Sequence, residues 1–151
     1  MLKNIFSKSK LLAACITSFN MGFVFTMITE SASKEFNTAF FTVASEVLLF
    51  SFWFSLWYIA PIVFLAGIPA SAGIDKITSG IMNTEAGNTL RAVLHVLAGI
   101  VIALLAYFVL GGGFPDFNNR EMIINFIFLS VYPSVFFWLI DTLANKKNTK
   151  A

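Results

Sequence analysis

Residues 11–29, 40–67, 92–110 and 122–140 are four apolar runs in a chain of 151 residues, separated by polar or glycine-rich stretches. The hydrocarbon core of a bilayer is about 30 Å thick, and a helix needs about 20 predominantly apolar residues to cross it. Each run is close to that length or longer. Inside a bilayer no water is available to backbone groups, so a spanning segment must satisfy them itself, as a helix does. Composition agrees: 58% of residues are hydrophobic and 12% charged, against ~45–50% and about 25% in soluble domains. A water-soluble fold could not cover its surface with so few charges. The expectation is an all-α membrane protein, a bundle of four transmembrane helices in a single integral membrane domain over residues 1–151.

The second run is longer than one span, so its frame has to be chosen. Starting at Phe40 would place Glu46 inside the membrane, whereas residues 47–66 carry no charge. A central carboxylate costs roughly 2.5 to 3.5 kcal/mol on insertion scales, several times what one Leu returns. The expected spans are therefore 11–29, 47–66, 92–110 and 122–140, with Glu46 at a membrane boundary. Pro61 removes a backbone hydrogen bond late in the second span and is a site for a kink.

The first run is the most polar, with Thr17, Ser18, Asn20 and Thr26. Lys3, Lys8 and Lys10 before it, and Ser31-Ala32-Ser33 after it, also have the order of a cleaved secretory signal. Leu12-Ala13-Ala14-Cys15 has the form of a bacterial lipoprotein box. Only four residues separate Lys10 from Cys15, too few for a signal core of about 7–15 apolar residues.

Lys and Arg set the orientation, since they accumulate in cytoplasmic flanks. Lys3, Lys8, Lys10, Lys76, Arg91, Lys146, Lys147 and Lys150 fall on one side, and Lys34 and Arg120 on the other. Eight against two places both termini in the cytoplasm. Without the first span the remaining three would keep that orientation. Lys outnumbers Arg by eight to two and there are eighteen Phe, a mixture that fits an AT-rich bacterial genome and hence a bacterial cell membrane.

Lipid is as apolar as Leu, so transmembrane helices adhere through close packing at small residues. Ala14, Ser18, Gly22 and Thr26 form such a stripe at steps of four in the first span. Ala92, His95, Gly99, Ala103 and Ala106 share one face of the third. Ser51 and Ser55 mark the second span, and Ser130 and Ser134 the fourth. The stripes predict packing inside one bundle or, where one is left over, homo-oligomerisation. The cytoplasmic connection, 68–91, holds Ile74, Ile77 and Ile81 at helical spacing, which predicts a short helix on the membrane surface between spans two and three. Gly111 to Asn119 reads as a flexible turn, with too few oxygen ligands for a calcium loop.

Ionisable and amide groups at membrane depth are functional candidates by default. They are Asn20 in mid-span, Glu46 at the outer boundary, His95 near the cytoplasmic end of span three, and Asp141 at the end of span four. Asn20 is expected to hydrogen-bond across to another helix, and Glu46 to reach water. His95 lies on the small-residue face, and Asp141 falls seven residues after Ser134 on the same helix. If those spans are neighbours, the imidazole and carboxylate approach each other at the inner mouth.

One His, one Cys and no clustered carboxylates give no base-oriented nucleophile and no three-ligand metal set. No catalytic, cofactor-binding or metal-binding residue is therefore assigned. The glycine-rich phosphate motif is missing, and a net charge of +2 with scattered Lys and Arg gives no footprint for nucleic acid. The bilayer itself, another membrane protein or a second copy of the chain are the expected partners. An accessory, protective or interaction role is expected, with a small proton- or ion-coupled transporter or channel working as a homo-oligomer as the alternative. The small multidrug-resistance exporters also have four spans per chain, but their essential glutamate lies inside the first span, where this chain has Asn20 and no acid.

Overall fold

A computed structural model describes residues 6–32, 40–81, 84–111 and 113–148. Among them the chain is helical, in four long segments. α1 is Lys8–Ala32, α3 is Glu85–Gly111 and α4 is Arg120–Asn148. α2 is an unbroken run over residues 40–78, built from Phe40–Phe54, Ser55–Ile59, Ala60–Ile62, Val63–Gly67 and Ile68–Thr78. All four are long and apolar enough to cross a membrane.

Two of the α2 segments, Ser55–Ile59 and Val63–Gly67, are π-helical turns. The N–H of Ala60 bonds to the carbonyl of Ser55, and that of Ile68 to Val63, each five residues back. Pro61 lies between them. It has no N–H to give and its ring crowds the carbonyl of the preceding turn. A wide turn on either side absorbs both defects without breaking the helix, and such bulges concentrate at functional sites.

This geometry corrects the expected surface helix in the connection 68–91. Ile68 to Thr78 is not a separate element; it prolongs α2. Its buried face is Ile68, Ser71, Ile74 and Thr78, turned into the bundle, while Ile77 and Ile81 are exposed. With α3 starting at Glu85, the link between them shrinks to residues 79–84. Asp141 likewise does not terminate its helix, since α4 runs on to Asn148.

α1 packs on α2 and α4, and α3 packs on α4. Gly22 shows why α1 and α2 come so close. A Cβ there would stand 1.9 Å from Ser55 Oγ and 2.8 Å from the Ser51 carbonyl oxygen. Gly99 makes the same contact between α3 and α4, where a Cβ would meet Ser134 Oγ at 1.7 Å and the Ser130 carbonyl at 2.5 Å. In each hairpin one glycine sits in the notch of a serine pair four residues apart. The serines keep this surface smooth by bonding back into their own helices, Ser55 to Ser51 and Ser134 to Ser130.

α2 and α3 are joined differently. Their packing comes from Val63–Gly67 and Ile68–Thr78, so the two helices meet towards the end where α2 finishes and part on the other side. Between its contacts with Gly22 and Lys10, α2 uses the 20 residues from Ser55 to Asp75. That is about 30 Å of ideal α-helix, against about 18 Å for the matching stretch of α1. α2 therefore crosses the bundle obliquely.

Candidate functional site

The end of the bundle where α1 begins and α4 finishes holds four charged side chains, one from each helix. Lys10 Nζ donates to Asp75 Oδ2 at 2.5 Å, to Asp141 Oδ2 at 3.1 Å and to Ser71 Oγ at 2.6 Å. Arg91 donates through Nη2 and Nε to Asp75 Oδ1, at 2.6 and 3.1 Å. Its Nη2 also lies 3.7 Å from Asp141 Oδ2. Asn145 Nδ2 donates to the other Asp141 oxygen at 3.3 Å. Two cations face two carboxylates, so the cluster is formally neutral.

Burial gives this neutrality its importance. Lys10 is 3% exposed, Arg91 4% and Asp141 0%, while the Asp75 side chain keeps 22% of its surface. Removing an ion from water costs several kcal/mol even after relaxation, and it is tolerated only where partners are close and lone pairs are satisfied. Both conditions hold here. An apolar knot of Ala13, Ala14, Ile68 and Phe137 packs one to two turns further in and keeps the surroundings dry.

His95 belongs to the same network at one remove. Its Nδ1 lies 2.8 Å from the Arg91 carbonyl oxygen and its Nε2 3.2 Å from Ser71 Oγ. A carbonyl only accepts, so a neutral imidazole fits as the Nδ1–H tautomer. Ser71 then accepts from Lys10 and donates to His95 Nε2. The ring also lies against Phe137, with centroids 6.3 Å apart. His95 and Asp141 thus share one cluster, but Ser71 and Lys10 stand between them.

The other two candidates lie elsewhere. Tyr132 Oη donates to Asn20 Oδ1 at 2.5 Å, tying α1 to α4 about midway along both helices. Glu46 is exposed on α2, far along the helix from the cluster. Lys10 and Arg91 were legible only as flanking charges and Asp75 was not singled out, yet each is a member of the cluster.

A cleft of about 380 Å³ extends from the cluster towards the opposite end of the bundle. Ser71 and His95 line its inner end, and Phe54, Ile62, Ile102 and Phe137 are among its apolar walls. On α3 the lining runs from His95 to Tyr107, twelve residues and about 18 Å of helix. The small residues Ala103 and Ala106 therefore face an open slot, while Gly99 in the same stripe also packs on α4.

Among the described residues no three His, Cys, Asp or Glu side chains gather to hold a metal ion. In the turn before α4, Asp116 Oδ1 accepts from the Asn118 N–H and Asn119 Oδ1 from the Glu121 and Met122 N–H groups. Those oxygens serve as turn and helix cap. No protein-family model, curated protein or solved structure matches this chain.

Proposed function

We propose that this protein is a non-enzymatic accessory or protective component of a bacterial cell membrane. In this reading it crosses the membrane four times with both termini cytoplasmic, and it acts by contact with another membrane protein or a second copy of itself. The observation that carries the reading is the occupation of its charged groups. Lys10, Arg91, Asp75 and Asp141 neutralise one another inside the bundle, and none is left facing a path that an ion could follow. Ion pathways instead present ionisable groups to a water-filled cavity, and the slot beyond this cluster is apolar.

The orientation rests on the flanking charges. Excluding Lys10 and Arg91, which are consumed in the cluster, the cytoplasmic side still has six Lys against Lys34 and Arg120 opposite, the bias that directs insertion.

Proteoliposomes holding a pH-sensitive dye test the reading. The expected result is that proton and cation permeability match protein-free vesicles, and that in-cell crosslinking captures a defined membrane protein or a second copy. Proton- or ion-coupled uptake that disappears with Glu46→Gln would replace this reading with the carrier alternative.

A further inference from the structure

The Asn20 amide is only half used inside the bundle. Its Oδ1 accepts from Tyr132, but among the described residues no acceptor meets its Nδ2, which carries two N–H groups. Nor is Nδ2 sealed in. The buried side-chain atoms without a partner belong to Thr17, Ser18, Trp138 and Thr142, and Asn20 is half-buried. The donor therefore reaches the outer surface of α1, in a shallow depression lined by Cys15, Ile16, Phe19 and Phe23.

Nothing in a bilayer satisfies a donor at that place. Asn20 is twelve residues from either end of Lys8–Ala32, about 18 Å of helix, whereas half the hydrocarbon thickness is about 15 Å. Water and lipid carbonyls are out of reach, and an amide facing hydrocarbon without a hydrogen bond is destabilising. The missing acceptor has to come from another protein helix, and Asn is among the side chains that bond between helices in lipid. This step rests on the reading that the four helices cross the membrane and that the protein acts by contact.

The surface around the amide has the form of a helix seam. Leu12, Ile16, Phe19 and Phe23 follow one another at steps of 4, 3 and 4, the heptad spacing of two helices packed side by side. Leu12, Ile16 and Phe19 are 51%, 37% and 45% exposed, so α2 and α4 leave this stripe uncovered. Asn20 borders it, one turn from Ile16 and from Phe23. An asparagine also supplies what it lacks, because its oxygen has two lone pairs and Tyr132 takes one.

We propose that two copies of this chain pair through α1, in a parallel dimer about a two-fold axis along the membrane normal. Each Asn20 Nδ2 donates to the partner's Asn20 Oδ1, and the apolar stripe closes around the pair. A two-fold axis uses the same patch on both copies, so one idle donor per chain becomes two interhelical bonds per dimer.

The test mixes donor- and acceptor-labelled full-length protein in phosphatidylcholine vesicles and follows energy transfer as lipid is added, which yields a dissociation constant. Wild type should dimerise, and Asn20→Leu should weaken the dimer by about fivefold or more, the effect of losing two such bonds. Asn20→Ala takes its place if that variant does not purify as a single species. Asn20→Gln should retain the dimer, and so should Tyr132→Phe, which cuts only the internal bond. In a Cys15→Ser background, Ile16→Cys should oxidise to a linked dimer and Leu49→Cys on α2 should not. A wild type that stays monomeric would overturn the proposal, as would a dimer indifferent to Asn20→Leu or one linked through Leu49→Cys instead. Proton permeability of the same vesicles separates the two readings: monomers in tight vesicles overturn the dimer alone, and dimers in proton-leaky vesicles overturn the non-transporting role alone.

Discussion

Lys10 has three N–H groups, and three oxygens meet them, from Ser71, Asp75 and Asp141. No donor is left over, which allows a lysine to be 97% buried at the start of a helix. The neutral variant Lys10→Met would leave two carboxylates against one guanidinium. Breaking a buried pair on one side costs about 3–5 kcal/mol, so Lys10→Met should be among the most destabilising single changes in the chain, as measured by unfolding in detergent. The Asn20–Tyr132 contact joins helices by a neutral bond, and such bonds average only about 0.6 kcal/mol in membrane bundles. Tyr132→Phe should accordingly shift stability by well under 1 kcal/mol; a loss as large as that of Lys10→Met would show that the pair does more than hold helices together.

The two hairpins use one device, a glycine set into a pair of serines on the returning helix. Gly99→Ala would push a methyl group into Ser134 and the Ser130 carbonyl, where backbone must move, and overpacking of that kind costs about 1–3 kcal/mol. Gly73 is also helical, but nothing lies within 4 Å of its missing Cβ. Gly73→Ala should leave stability unchanged or raise it by about 0.5–1 kcal/mol, the usual gain in a helix interior. Equal losses at both positions would mean that α3 and α4 are not in close contact at Gly99. The four apolar runs and the small-residue stripes were legible because helical period and membrane length are both written in the order of residues. The cluster was partly legible: steps of four that run through Ala14, Ser18 and Gly22 also reach back to Lys10, and those through Gly99 and His95 reach Arg91. Asp75 was not. Each wide turn of α2 slips the helical phase by about one residue, roughly 100°, so the face containing Ser51 and Ser55 cannot be extrapolated to Ser71 and Asp75. Of Ile74, Ile77 and Ile81, only Ile74 is turned into the bundle, because this stretch prolongs α2 and buries the face of Ile68, Ser71, Ile74 and Thr78.

Four helices of unequal length are closed at one end by charge and held in pairs along their length by glycine notches. At the other end α2 packs on α1 and not on α3. The slot follows from this arrangement: α1 packs on both α2 and α4, α4 packs on α3, and α2 meets α3 only through residues 63–78. Cohesion at the closed end depends on all four charges being present in balance, and α1 contributes Lys10 to it. Removing α1 would leave Arg91 alone against Asp75 and Asp141, so the four-helix unit is expected to unfold as one. The most direct test is a double-mutant cycle on Lys10→Met and Asp75→Asn. Each single change leaves one uncompensated buried charge, and the double change restores neutrality. The double variant should therefore be more stable than the sum of the singles requires, by more than about 1 kcal/mol, in the range found for residues within one network. Effects that add to within about 0.5 kcal/mol, as they do for independent sites, would contradict a clamp made of mutually neutralising charges.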